Sequence, residues 1–218
     1  MNSQNLEKYN DELSKIYDTV TSEKKYAWVA SDRVFNTIEK YLGRDKKVLE
    51  LGVGTGNVLE KISGYTNKMT GIDISSKMLE KAKVKLPTLQ FIKSDLETVD
   101  LSALGTFDIV LACGVFEFVD SLEILFEKIS QFLNAEGLFC FTYEISAKDF
   151  VVNTKLPNIK KNLPKLPFNV FPRNKDQIAA ILNKNNFTIV DSFEFDGYLK
   201  YNKNEKISIP YGLFLVKK

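Results

Sequence analysis

The chain has 218 residues, 44% of them hydrophobic, with 30 basic and 28 acidic side chains and a formal net charge of +2. That length suits one domain with a sizeable core, and so even a charge balance argues against a broad basic face for duplex nucleic acid. There is no histidine, and the two cysteines, Cys113 and Cys140, sit in apolar runs without metal-ligand spacing, so no metal centre is expected and histidine-based triads are excluded.

The polar stretch from Met1 to Asn10 lacks an apolar signal region, and no run reaches membrane-spanning length. A soluble, cytoplasmic protein without a membrane partner is expected. Leu6, Tyr9, Leu13, Ile16, Tyr17 and Val20 recur at helical spacing, as do Trp28, Val34, Phe35, Ile38, Tyr41 and Leu42. The spacing predicts two amphipathic helices, the second closed by Gly43.

Val48 to Leu51 reads as a short buried strand that runs into Gly52, Gly54 and Gly56 and then a helix from near Asn57. Glycines there let the backbone turn tightly and a ligand come close, beside a helix N-terminus suited to an anion. Their spacing is G-x-G-x-G, with Asn57 after it, and not the G-x-G-x-x-G of dinucleotide sites. Met69 to Ser75 is a second strand ending in Asp73, with Ser75 as cap of a helix over Lys77 to Leu86. An acid about 20 residues past the glycine turn is placed to accept from ribose hydroxyls; its plainer role is to start the next helix.

Leu89 to Leu96 predicts a third strand ending at Asp95, and Phe107 to Ala112 a fourth, followed by Cys113-Gly114 and a helix-like run through Glu117 and Phe118. Ser121 to Leu133 is an amphipathic helix, Asn134 to Gly137 a turn, and Leu138 to Glu144 a fifth strand. Residues 153 to 175 carry Pro157, Pro164, Pro167 and Pro172 together with six of the basic side chains and no acid. This loop, with Phe168 and Phe171, is read as a cap on a substrate side that attracts an anion, or as a merely solvated loop. Asp176 to Asn185 is a helix, Phe187 to Phe195 and Tyr211 to Val216 are strands, and Asp196 to Pro210 is a polar connection between them, which predicts an antiparallel hairpin.

Glu50 followed by Gly52, Gly54 and Gly56 resembles motif I of the class I, Rossmann-like S-adenosylmethionine-dependent methyltransferases, and Phe107 to Val119 resembles their motif IV. The resemblance covers about residues 45 to 218. It implies an α/β fold with a seven-stranded, mostly parallel sheet of order 3-2-1-4-5-7-6, strand 7 antiparallel, and helices on both faces. One domain is implied: a helical lid over 1–44, a cofactor-binding core over 45–145, a Pro/Lys-rich substrate-side loop over 146–175, and a helix with hairpin over 176–218.

The cofactor implied is S-adenosyl-L-methionine, and the resemblance assigns it to particular stretches. Glu50, Gly52, Val53, Gly54 and Gly56 come from motif I. Asp73, Ile74 and Met78 follow the second strand, Asp95 and Leu96 the third, and Cys113 and Gly114 the fourth. Tyr17 and Trp28 are candidate lid residues, with packing on the sheet as their plainer role. Many relatives have histidine at the positions of Glu117 and Phe118, so a histidine-assisted mechanism is not implied. Glu117 and Tyr143 are the candidate catalytic side chains. Glu117 is read as a weak base or the partner of a substrate amine, or as an acid that only suits a helix's first turn.

The function expected is methyl transfer to an oxygen or nitrogen of a small molecule, since no appended recognition module is visible. Methylation of RNA or protein in the same fold is the alternative, supported only by the basic loop. From another class, a nucleotide-binding protein without methyl transfer would account for the glycine loop alone.

Overall fold

The computed structural model describes residues 3–22, 28–145, 168–202 and 205–218. Helices α1 (Ser3–Ser14), α2 (Tyr17–Ser22) and α3 (Ala30–Ile38) precede an alternation of strand and helix. It runs β1 (Val48–Leu51), α4 (Asn57–Ile62), β2 (Met69–Asp73), α5 (Ser76–Lys85), β3 (Gln90–Lys93), β4 (Phe107–Ala112), α6 (Leu122–Phe132) and β5 (Leu133–Glu144). Helix α7 (Lys175–Lys184) and the strands β6 (Thr188–Asn202) and β7 (Glu205–Lys217) complete it. The sheet order is β3-β2-β1-β4-β5-β7-β6. The first five strands run parallel, and β7 is antiparallel to both its neighbours.

β1 lies at the centre of the parallel part, with Val48 between Met69 and Ile109. All four of its residues are buried, as a strand covered on both faces requires, and its side chains alternate between two cores. Leu49 and Leu51 enter a core with Val110, Phe116, Phe126, Phe139 and Phe141, closed by α6 and α7. Val48 enters the opposite core with Ile109 and Leu111, closed by α3, α4 and α5. The expected fold, sheet order and antiparallel strand are therefore observed.

Several boundaries differ from the sequence reading. The first predicted helix breaks in two: the Ser14 hydroxyl turns back onto the Asp11 carbonyl at 2.7 Å, and the Lys15 and Ile16 amides bond three residues back. This tightens the chain and ends α1. The predicted turn at Asn134 to Gly137 is instead a bulged start of β5, with Glu136 at φ 68° and Asn134 bonded to Asp108 at 2.9 Å. The polar connection at Asp196 to Pro210 is mostly strand, paired as far as Asn202 with Glu205. Main-chain groups make that ladder, so polar side chains do not prevent it. Its register shifts at Gly197, where a Cβ would run into the Tyr211 ring. Most of the expected basic loop, through residue 167, lies outside the described residues.

Candidate functional site

The carboxyl ends of β1, β2, β3 and β4 open on one cavity of about 260 Å³. At its floor the glycine loop leaves β1 with Gly52 at φ 68° and Gly54 at φ 55°, a conformation that L side chains rarely adopt. A Cβ on Gly52 would strike the Val115 side chain, whereas one on Gly54 would meet nothing within 4 Å. The loop is thus packed from beneath at Gly52 and open to an incoming ligand at Gly54.

Asp73, at the end of β2, ties this loop to the next helix. Its carboxylate accepts from the Gly54 amide at 2.8 Å and from the Ser75 amide at 2.9 Å. Burial pushes its pKa up to about 6, although amide hydrogen bonds from Ser75, Gly54 and Ile74 oppose the rise. Asp95, past β3, accepts from the Glu97 amide at 3.0 Å in a tight turn and faces the cavity with Ile74, Met78 and Leu96. Cys113 and Gly114 follow β4, where the Gly114 amide donates to the Thr142 hydroxyl at 2.9 Å. Burial raises the Cys113 thiol well above its ordinary range, so it stays protonated and inert as a nucleophile.

The roof comes from the N-terminal helices and the hairpin. Tyr17 of α2 and Trp28 line the cavity. The Trp28 ring would lie 2.7 Å from a Cβ at Gly114, and it stands edge-on to Tyr211 with centroids 5.1 Å apart. Two aspartates fasten the roof. Asp11 accepts from the Ser75 hydroxyl at 2.6 Å, and Asp18 accepts from the Thr55 hydroxyl at 2.6 Å and from Lys85 at 3.2 Å.

At the far end Glu117 sits in a single 3-10 turn, Phe116–Phe118. It is 5% exposed, its Oε1 accepts from the Tyr211 hydroxyl at 2.8 Å, and its Oε2 has no partner among the described residues. The Tyr211 hydroxyl also lies 3.5 Å from Glu144. Burial, reinforced by Glu144, lifts the Glu117 pKa to about 7, against the pull of Tyr211 and Arg173. Arg173 does not enter the cavity wall: its guanidinium donates to the carbonyls of Phe116, Phe171, Val119 and Asp120 at 2.6–3.0 Å and so braces the turn. Phe168 packs on Tyr9 and Phe118, with centroids 4.8 and 6.0 Å away.

Eleven of the residues assigned to the cofactor from sequence line this cavity: Gly52, Gly54, Asp73, Ile74, Met78, Asp95, Leu96, Cys113 and Gly114, with Tyr17 and Trp28 from the roof. Glu50, Val53 and Gly56 do not reach its wall. Glu50 lies under the loop, 2% exposed, with Oε2 unpartnered among the described residues and its pKa raised by burial. Val53 packs in the core and Gly56 caps α4 at φ 84°. Of the two catalytic candidates, Glu117 lines the cavity, whereas Tyr143 is a core side chain stacked on Phe214, 5.8 Å between centroids.

Sequence reasoning missed Tyr211 and Ile209 because they reach the site only through the long hairpin. It also missed Leu6, Tyr9 and Leu13, whose three- and four-residue spacing was the available signal that α1 turns its apolar face to the same place as Tyr17. Among the described residues no cluster suits a metal ion, and no helix is long and apolar enough to cross a membrane.

Residues 49–141 match the model of the methyltransferase domain family. The malonyl-[acyl-carrier protein] O-methyltransferase of Bacillus anthracis is 28% identical over 100 residues, which span 44% of this chain and 36% of that relative. The ubiquinone/menaquinone biosynthesis C-methyltransferase of Campylobacter jejuni is 27% identical over 135 residues, spanning 55% of this chain and 57% of that protein. This chain therefore spans only about a third to a little over half of those relatives' lengths.

Among solved structures, the magnesium protoporphyrin IX methyltransferase of Synechocystis, with S-adenosylhomocysteine bound, aligns over 99% of both chains at 13% identity and a TM-score of 0.69. The CcbJ methyltransferase of Streptomyces caelestis aligns over 96% of this chain and 97% of its own at 16% identity and a TM-score of 0.71. These likenesses show a common fold. The matched segment runs from the first strand through the fifth, and the sheet is completed around it in the expected order, so this part of the chain is similar to the methyltransferase domain family and the whole has the fold of those structures.

Proposed function

We propose that this protein transfers the methyl group of S-adenosyl-L-methionine to an oxygen or nitrogen of a small-molecule acceptor. The observation that carries the reading is one cavity that joins the open glycine loop, Asp73 and Asp95 at one end to Glu117 and Tyr211 at the other. Its donor set suits the cofactor. Among the described residues four carboxyl groups, Asp73, Asp95, Glu117 and Glu144, and no lysine or arginine line it, which favours a ligand bearing a sulfonium and an ammonium.

In this reading Asp73 accepts from the ribose hydroxyls and Asp95 from the adenine amine. Ile74, Met78 and Leu96 cover the base, and Gly54 leaves room for the methionyl part. When bound, the cofactor supplies the electrophilic methyl group. The chain's own residues bind, align and exclude water, and alignment accounts for about 7–11 kcal/mol of barrier lowering in well-oriented systems. A small acceptor is supported by the volume of the cavity, about 260 Å³, and its place beneath α1, α2 and the hairpin.

Calorimetric titration with S-adenosylmethionine, S-adenosylhomocysteine and NAD tests the reading. Micromolar binding of the two sulfur compounds is expected, weakened at least ~10-fold in Asp73→Ala, as loss of a charge-assisted hydrogen bond implies. Binding of NAD alone would overturn it.

A further inference from the structure

We propose that the acceptor is a protonated amine carried on an apolar skeleton, and that Glu117 both receives its ammonium group and takes one of its protons. The inference rests on the methyltransferase reading of the same cavity and names the class of acceptor it selects.

Glu117 is a buried carboxyl with one oxygen already engaged. Oε1 is held by the Tyr211 hydroxyl at 2.8 Å, which fixes the group's orientation, while Oε2 has no partner among the described residues and the side chain lines the cavity. A buried carboxylate oxygen without a donor is costly unless a ligand supplies one. Every charged group facing this end bears on the choice of ligand. Glu144 of β5 is acidic and reaches the same Tyr211 hydroxyl at 3.5 Å. Tyr17, Cys113 and Tyr211 are neutral, with burial raising each above its ordinary range. Arg173, the cation near this end among the described residues, spends its donors on four carbonyls of the Glu117 turn and its flank.

Among the described residues an anionic acceptor would therefore meet two carboxyl groups and no available cation, and a neutral one would leave both uncompensated. An ammonium answers both, and Trp28, Phe118 and Tyr211 in the wall present aromatic surfaces that favour a cation and cover its carbon skeleton. The proton step balances simply. One N–H bond of the ammonium breaks, its electron pair stays on nitrogen as the nucleophilic lone pair, and the proton forms an O–H bond at Glu117 Oε2, later to be lost to solvent. A carboxyl that titrates at about 7 is matched to that exchange near neutrality.

The test is calorimetric, on the full chain saturated with S-adenosylhomocysteine, with benzylamine, 2-phenylethylamine and tryptamine as probes and benzoate and benzyl alcohol as matched controls. At least one amine is expected to bind ~10-fold or more tighter than benzyl alcohol, and benzoate not to bind. Near about pH 6, in buffers of different ionisation enthalpy, amine binding is expected to release close to one proton, because Glu117 must shed its own to face the ammonium. Glu117→Gln is expected to abolish the release and weaken the amine ~10-fold or more. The release is read on the unaltered chain, so it stands whether or not the variant folds. Benzoate binding as tightly as the amines, no amine binding, or amine binding without proton release overturns the proposal. Failure of S-adenosylhomocysteine itself to bind would instead overturn the methyltransferase reading.

Discussion

Asp73 and Glu117 are both carboxyl groups at strand ends or just beyond them, yet their surroundings set them different tasks. Asp73 receives two backbone amides and holds the glycine loop in place, whereas Glu117 receives one tyrosine hydroxyl and keeps an oxygen unpartnered among the described residues. The contrast has a consequence for stability. Because the Glu117 pKa in the fold, about 7, lies above its ordinary 4.5, the folded chain binds that proton more tightly than the unfolded chain. Its contribution is complete below about pH 4.5 and is lost as pH rises through about 7. Asp73, raised from 3.8 to about 6, acts with the same sign. The ligand-free protein should therefore melt at lower temperature as pH is raised over that window, and Glu117→Gln should flatten the slope. An unchanged slope by thermal denaturation would show that Glu117 is not held in the buried state described.

At the scale of elements, the site depends on how α1, α2 and the hairpin are fastened over the strand ends. Asp18 joins α2 to the glycine loop at Thr55 and to α5 at Lys85. Asp11 joins α1 to the start of α5 through the Ser75 hydroxyl. These bonds are half exposed and contribute little to global stability, but they decide whether Tyr17 stays over the cavity. Asp18→Ala is expected to weaken S-adenosylhomocysteine binding about fivefold, the worth of about 1 kcal/mol, with hydrogen exchange faster in α2 and melting little changed. Unaltered affinity would mean that the roof needs no such latch.

Over the whole molecule, stability resides in the aromatic core between the sheet and α6. Phe126 is fully buried and meets Phe116, Phe139 and Phe141 at centroid distances of 5.1–5.4 Å. Phe126→Ala should cost about 3–5 kcal/mol in chemical denaturation. The same core carries Phe116, the residue before Glu117, so the Glu117 end of the cavity is anchored to that aromatic core. A loss well under that range would show that the core collapses around the gap.

How much of this was legible in the sequence depended on whether the information was local. Val48-Leu49-Glu50-Leu51 with its glycines, the acids that end β2 and β3, and the alternation of strand and helix are local patterns, because burial on both faces, tight turning and helix capping each leave a mark within a few residues. They determined the sheet class, the family resemblance and the glycine-loop end of the cavity. The partners of Glu117 left no such mark. Tyr211 is 94 residues away in sequence and meets it only because β7 enters antiparallel beside β5, and Arg173 braces the turn from 57 residues beyond Phe116. The placement of Tyr143 in the core and the reach of the hairpin past Asp196 were likewise settled by pairing between distant strands. Only the tertiary structure decided that Glu117 is buried, held by one oxygen and, among the described residues, unpartnered at the other, because desolvation and hydrogen bonding at that point come from elements that local sequence does not connect.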